Sequence, residues 1–224
     1  MSPLQLRAMK PDLAISLLHQ CRHATLATQS RQYPGYPYAS AIQFFCDESH
    51  RPVFVVSALA EHSKNLLADP RISLSILAPD DSAAQSAARL TMLGDAERFD
   101  APDALLRRLL RYLPEAEEWL ALDFMFFRLI PKWQRLIAGL GKMGWIEESA
   151  WAALPALELD MESALLEEAQ PALPASIRLL GCDFFGADLL DNGHYRRVDW
   201  EAAASASTQI RERLLRQLTL HTLS

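Results

Sequence analysis

Residues 54–78, FVVSALAEHSKNLLADPRISLSILA, constrain the fold of this chain more than any other stretch. The apolar run Phe54-Val55-Val56 reads as a strand that ends at Ser57. A helix then starts near Glu61, carries His62, Ser63, Lys64 and Asn65 in its opening turns, and stops at Asp69-Pro70-Arg71. Proline cannot continue a helix, and the residue before it is pushed toward extended backbone. The alternation from Ile72 to Leu77 then predicts a second strand with one face buried. A strand that delivers hydroxyl, imidazole and ammonium groups to a helix N-terminus suits an anion such as a phosphate, because free N–H groups and the positive end of the helix dipole converge there. An ordinary helix start with no ligand gives the same pattern, so the alternative stays open.

The rest of the chain supplies strands in series. Ala24–Ala27 opens one, and PGYPYASAIQF (34–44) gives a turn and a second. Strands are expected at about 23–28, 38–45, 52–57, 72–78, 87–98, 123–130 and 133–138, with a hairpin at Cys46–Pro52. Helices are expected at Pro11–Gln20, at 61–68 and at Pro102–Tyr112, the last with Leu105, Leu109 and Tyr112 inward; Pro79–Ser86 reads as a polar loop. With no strict βαβ alternation, about six antiparallel strands with helices at the margins form a closed or split barrel of the α+β class.

This succession resembles the pyridoxamine 5'-phosphate oxidase-like split β-barrels that bind flavin mononucleotide (FMN), and most nearly their haem-utilisation branch. The resemblance rests on the S-x-L-A-x-H-(S/T)-x-N-L-x-x-D-P-R pattern at Ser57–Arg71 and on Gly-x-Gly-x-x-x-Trp at Gly139–Trp145. It covers roughly residues 10–150 and implies an FMN-binding-like domain over 1–151. Beyond Trp151 the composition shifts to Ala, Leu, Glu and Pro. A helix over about 158–169, a strand over Ser176–Phe184, a turn at Asp188–Gly193, a strand at His194–Val198 and a helix from Trp200 to Leu220 follow. Residues 152–224 thus resemble the small C-terminal α-β-β-α domain of that branch, chiefly through Gly181–Leu189, although ELDMESALL (158–166) stands in place of its histidine-rich opening.

By this resemblance Ser57, His62, Ser63, Lys64 and Asn65 meet the flavin phosphate and ribityl chain. Ser40, Ala41, Ile42 and Gln43 lie on the strand whose main chain runs along the isoalloxazine edge. Trp145, with Trp133 and Lys142, belongs to the late strands near the flavin and the partner subunit; for an indole, core packing is the alternative. The pyridoxamine-oxidising enzymes carry an arginine where Ser40 stands and an Arg-Lys pair where Glu61 and His62 stand. Each missing charge-assisted bond is worth about 1.5–3 kcal/mol, a loss that Lys64 could meet only in part. Pyridoxamine phosphate is therefore not the expected substrate.

A net charge of −6 argues against a nucleic-acid partner, and Arg211, Arg213 and Arg216, interleaved with Glu212, read as a solvated helix face. No apolar run approaches the roughly 20 residues a bilayer demands, and the N-terminus has no signal-peptide core, so a cytoplasmic protein is expected. Cys21, Cys46 and Cys182 lack C-x-x-C spacing and read as reduced, buried thiols. His19 and His23 lack the Glu of H-E-x-x-H, so no metal site is expected. Phe124-Met125-Phe126-Phe127 cannot all face one interior, because strand side chains alternate; a helix or a second chain must cover some of them.

The leading expectation is a homodimeric FMN-binding flavoprotein of oxidoreductase type, linked to haem iron utilisation, with its site at the subunit interface. No acid, base or nucleophile stands out, as when a cofactor carries the chemistry. One alternative is a haem-binding or haem-degrading protein with His221 as the iron ligand, by resemblance to haem-degrading relatives of this barrel. Another is a non-catalytic barrel that has lost tight cofactor binding and acts as a regulator.

Overall fold

The computed structural model describes residues 9–78, 87–139 and 142–221, with the backbone alone over 217–221. The expected loop Pro79–Ser86, Gly141 and the side chains of Leu218 and His221 lie outside the described residues. Two compact units emerge: Met1–Asp47, Arg51–Asp100 and Glu118–Leu154 form the first, and Glu48–His50, Ala101–Glu117 and Pro155–Ser224 the second.

The first unit is built on an antiparallel eight-stranded sheet. Its strands are β1 (His23–Gln29), β2 (Pro37–Gln43), β3 (Phe45–Cys46), β4 (Pro52–Ser57), β5 (Arg71–Leu77), β6 (Arg89–Phe99), β7 (Phe124–Ile137) and β8 (Met143–Ile146). The order is β2-β1-β5-β6-β7-β4-β3, with β8 paired to β7. Alternation decides which face is inside. Ile72, Leu74 and Ile76 of β5 and Leu90 and Met92 of β6 are buried, while their neighbours are partly or fully exposed. Phe54 and Phe127 stack at 6.0 Å in this core, and helix α1 (Asp12–Gln20) adds Ile15 and Leu18. Each such fully buried side chain stabilises by about 1.5–3 kcal/mol.

Two strands expected at 123–130 and 133–138 are instead one, β7, because the chain passes Pro131-Lys132 through a bulge rather than a turn. Gly94 pairs with Pro131 and Leu93 with Trp133, which leaves Lys132 as the extra residue. The buried set changes parity there, from Met125, Phe127 and Leu129 to Gln134 and Leu136. Glycine is required opposite the bulge, since a Cβ on Gly94 would collide with the Ile130 carbonyl oxygen. The Phe124–Phe127 run is covered by its own chain. Met125 and Phe127 point in, Phe126 meets Phe99 edge-on at 6.0 Å, and Phe124 stacks on Trp119.

In the second unit, β9 (Ile177–Cys182), β10 (Gly186–Asp191) and β11 (His194–Asp199) form an antiparallel sheet in the order β11-β10-β9. Helices α3 (Asp103–Tyr112), α6 (Leu159–Ala169) and α7 (Ser207–His221) belong to it. The stretch Asp188–Gly193, expected as a turn, is mostly strand. The turn is confined to Asn192-Gly193, both at positive φ (50° and 81°), so the C-terminal unit has three strands rather than two. Asp188 reads as turn chemistry but is buried, with its carboxylate held by Arg197 Nη1 at 2.9 Å and by the Tyr112 hydroxyl at 2.5 Å. The apolar core gathers Leu165, Leu166, Ile177, Leu179, Leu189, Trp200, Ile210 and Leu214.

Candidate functional site

Helix α2 (Glu61–Ala68) follows β4 through the turn Ala58-Leu59-Ala60, as the apolar-then-polar switch at Ser57 predicts. The turn is tied at both sides. Ala58 N donates to the Asp123 carbonyl at 2.9 Å, and Leu59 N donates to Ser57 Oγ at 3.2 Å. Beside it the first unit holds a cleft of ≈ 230 Å³. Ala41, Ile42 and Gln43 of β2 form one wall; Val55, Val56 and Ser57 of β4 lie next to them. Ala60, His62, Trp119 and Phe124 complete the lining.

Five of the ten residues expected to hold a cofactor therefore converge: Ala41, Ile42, Gln43, Ser57 and His62. The other five do not line the cleft. Ser63 is fully buried and donates its hydroxyl to the Ser57 carbonyl at 2.6 Å. Asn65, also fully buried, donates to Thr28 Oγ1 at 3.0 Å and accepts from Arg31 N at 2.9 Å, so it ties α2 to the end of β1. Lys64 turns its ammonium to Glu61 Oε2 at 3.4 Å. The Ser40 side chain lies on the same face of β2 as buried Ile42, and its Oγ is buried with no hydrogen-bond partner among the described residues. Trp145 sits on β8, opposite Arg135, whose guanidinium lies 5.4 Å from its ring centroid; that is the far end of β7 from the cleft.

The β2 wall offers more than side chains. Two main-chain hydrogen bonds bracket the β1–β2 pairing, Phe44 N to Arg22 O at 3.0 Å and Ser30 N to Tyr36 O at 3.0 Å. In an antiparallel ladder successive residues turn their N–H and C=O groups to opposite sides. Even-numbered residues of β2 thus face β1, while Ala39, Ala41 and Gln43 turn their main chain away from it. No strand pairs with β2 on that side among the described residues. Ala41 and Gln43, about 6.8 Å apart at strand spacing, therefore present donors and acceptors along an open edge beside the cleft.

Trp119 and Phe124, which also line the cleft, stack with centroids 5.6 Å apart and planes 11° apart. Trp119 comes from α4 (Ala116–Leu120), a short helix after Pro114 that the sequence reading missed. The available signal was a tryptophan in the otherwise acidic run EAEEWL, where a solvated face has no use for an indole. Burial pulls the His62 pKa below the ordinary histidine value, which favours the neutral imidazole. Among the described residues, none that lines the cleft is Lys, Arg, Asp or Glu. A larger hollow, ≈ 440 Å³, is walled by Ser30, Tyr33, Tyr36, Pro37 and Tyr38. Tyr33 and Tyr36 are mostly exposed, and none of the expected residues lies there.

An antiparallel split barrel with a side cleft between an edge strand, a strand–helix turn and an aromatic pair defines the class. The chain belongs to the CREG β-barrel family, whose model matches residues 5–153. Over 119 residues it is 39% identical to the chloroplastic non-canonical heme oxygenase HOZ of Arabidopsis thaliana, covering 51% of this chain and 36% of that protein. The chain thus spans about a third of that relative's length. A heme binding protein from Mycobacterium smegmatis is similar over 97% of this chain and 99% of its own, at 27% identity and a TM-score of 0.61. A protein of unknown function from Agrobacterium tumefaciens shares the fold over 97% and 98% of the two chains, at 22% identity and a TM-score of 0.73. No helix among the described residues is long and apolar enough to cross a membrane.

Proposed function

We propose that the first-unit cleft is a flavin site, and that the protein is an FMN-type split-barrel flavoprotein of oxidoreductase character serving haem iron utilisation. The observation that carries this is one cleft lined by both the open β2 edge and a stacked aromatic pair. The pyrimidine side of an isoalloxazine presents C=O, N–H and C=O in a row, which unpaired strand groups at Ala41 and Gln43 can meet. Trp119 and Phe124 can hold the ring plane by stacking. When bound, the flavin supplies the redox chemistry; the protein's residues bind the ring, orient it and limit its contact with water.

At ≈ 230 Å³ the cleft is smaller than the roughly 300–1,000 Å³ of a complete ligand pocket, so one chain covers only part of the cofactor. Leu59 is 81% exposed and Leu122 64%, and both flank cleft residues in sequence. A second copy seated on these leucines would complete the site, which supports a homodimer. The absorption spectrum of the protein as isolated, and after addition of FMN, tests the reading. Bound-flavin bands and a raised melting temperature are expected; no binding by the dimer points to a barrel without a cofactor.

The relatives named for haem favour a second reading, a haem-binding protein. His221, whose side chain lies outside the described residues, is the candidate ligand there. A Soret band on adding haemin that His221→Ala alters supports that reading, and an unaltered band removes the ligand.

A further inference from the structure

The larger hollow of the first unit, at the connection from β1 to β2, shares no lining residue with the cleft, so nothing about it rests on a flavin. We propose that this hollow binds an uncharged, flat, conjugated ring that carries carbonyl oxygens, a ligand of the quinone class.

One short stretch of chain builds the site. Ser30, Tyr33, Tyr36, Pro37 and Tyr38 wall a hollow of ≈ 440 Å³. That volume lies within the roughly 300–1,000 Å³ of small-molecule pockets. Main-chain bonds hold the aromatic walls in place. Tyr33-Pro34-Gly35-Tyr36 is a tight turn in which Tyr36 N donates to the Tyr33 carbonyl at 3.1 Å. Proline pre-sets the first corner, and Gly35 takes the second at φ 89°. Ser30 N donates to the Tyr36 carbonyl at 3.0 Å, and Tyr33 N to Ser30 Oγ at 2.9 Å. Arg31 N donates to the buried Asn65 Oδ1 at 2.9 Å, which ties the connection to α2. A loop fixed in this way presents its rings without first having to order them.

The chemistry of the lining selects the ligand. Tyr33 is 62% exposed, Tyr36 71% and Tyr38 38%. Three tyrosines around one hollow concentrate more aromatic surface than a solvated turn needs. Phenol rings offer flat apolar contact at a low cost in side-chain entropy, which suits a flat conjugated partner. Among the described residues no lining group is charged, and Arg31, the cation of this connection, is exposed and outside the lining. An ionic ligand would enter without a counter-charge, so the fitting ligand is neutral. The polar atoms that the lining side chains bring are hydroxyls. Ser30 Oγ already accepts from Tyr33 N, which leaves its hydrogen to donate, and each phenol carries a donor of its own. Hydroxyl donors around a stacking surface match carbonyl oxygens at the periphery of a ring.

The test is an NMR titration of the full chain, its tyrosine rings isotopically labelled, with duroquinone, whose full methylation prevents addition to thiols. Of the five tyrosines, Tyr33, Tyr36 and Tyr38 are expected to shift saturably, while buried Tyr112 and Tyr195 of the second unit keep their signals. Durene, the same ring without carbonyls, should bind at least about fivefold more weakly, the worth of one or two neutral hydrogen bonds. Tyr36→Ala, a change at a side chain mostly in solvent, should weaken duroquinone about tenfold by removing a stacking wall, with no change in melting temperature. Tetramethylammonium, which phenol faces also attract, is the charged control and should bind more weakly than duroquinone. Shifts that do not saturate, or an affinity that Tyr36→Ala leaves unchanged, overturn the proposal. So does equal affinity for durene, which removes the carbonyl assignment, or tighter binding of tetramethylammonium, which replaces the neutral ring by a cation. A second copy seated on the three rings leaves nothing to titrate, and the proposal falls in that case too. None of these outcomes turns on whether the cleft holds a flavin.

Discussion

The interior of the second unit and the cleft of the first place polar groups in opposite ways. In the second unit the Arg197 guanidinium, fully buried, reaches Asp183 at 3.0 Å, Asp188 at 2.9 Å and Asp199 at 2.9 Å. Burial alone would lower its pKa, but the three carboxylates outweigh that and hold it well above the ordinary arginine value. Around it Tyr112 donates to Asp188, and Glu162 takes Arg108 and, at 2.5 Å, Arg111. Burial also pushes the Tyr112 pKa well above its usual value, so the phenol remains a donor. In the cleft the strand edge is open and the aromatic pair stands free of polar partners. A densely ion-paired buried network fixes one packing; an open edge marks where something else is to bind.

The largest effect that tests the contrast comes from Arg197→Met. It leaves two buried carboxylates short of their cation, and removing one partner of a buried ion pair costs about 3–5 kcal/mol. A fall in melting temperature on the order of 10 °C is expected in thermal unfolding of the full chain. A shift near zero would show that water already serves those carboxylates, and the contrast would collapse. Tyr112→Phe is next. It deletes one donor to a buried carboxylate, with an expected cost of about 1–3 kcal/mol in denaturant midpoint. Recovery of that stability in the double change with Asp188→Asn would show that the loss runs through this one hydrogen bond.

What the sequence disclosed follows the same divide. The Ser57–Arg71 pattern placed β4, α2 and β5 to within a residue, because strand period, helix period and the Asp-Pro stop are local signals. The burial of Asp188 was not local. Its partner Tyr112 lies on α3 and Arg197 faces it from the adjacent strand β11, so an aspartate judged by its sequence neighbours alone reads as a turn. Ser63 and Asn65 show a related limit: a polar residue in the first turns of a helix is as able to tie the helix down as to meet a ligand, and only the structure gives its direction. The main-chain edge at Ala41 and Gln43 carries no side-chain signature at all, so position within the family pattern was the sole clue to it. Helix α3 groups with the C-terminal unit through Arg108, Arg111 and Tyr112, contacts made with residues more than fifty positions ahead.

Trp119→Ala sharpens the cleft side of the comparison. Loss of a stacking wall is expected to weaken flavin binding about tenfold, near 1.4 kcal/mol, with little change in unfolding temperature. An equal affinity in the variant would move the ring away from α4. His62 gives a smaller and pH-dependent effect. Its folded pKa lies below the unfolded value of 6.5, so its contribution to stability is present above that value and is lost as pH falls through the folded pKa. The unfolded chain takes up the proton first. Melting temperature should therefore decline modestly on acidification below about pH 6.5, and His62→Gln should flatten that slope, read by thermal scans at a series of pH values.

The smallest effect carries the most information about sign. Ser40 is flanked by buried Leu26 across the strand pair and by Ile42 along its own face, with a buried Oγ that lacks a protein partner among the described residues. Ser40→Ala removes a desolvated hydroxyl instead of breaking a bond, so its expected effect on stability lies between zero and a gain of about 1 kcal/mol. Tyr112→Phe removes a hydroxyl of similar burial and costs stability, because that hydroxyl is engaged. If chemical denaturation shows Ser40→Ala to be destabilising by as much as Tyr112→Phe, the β2 hydroxyl has a partner in solution and is as engaged as the Tyr112 hydroxyl. If the variant is neutral and flavin affinity is unchanged, the flavin contacts at β2 belong to the main chain of Ala41 and Gln43, and the serine serves only to fit beneath the sheet.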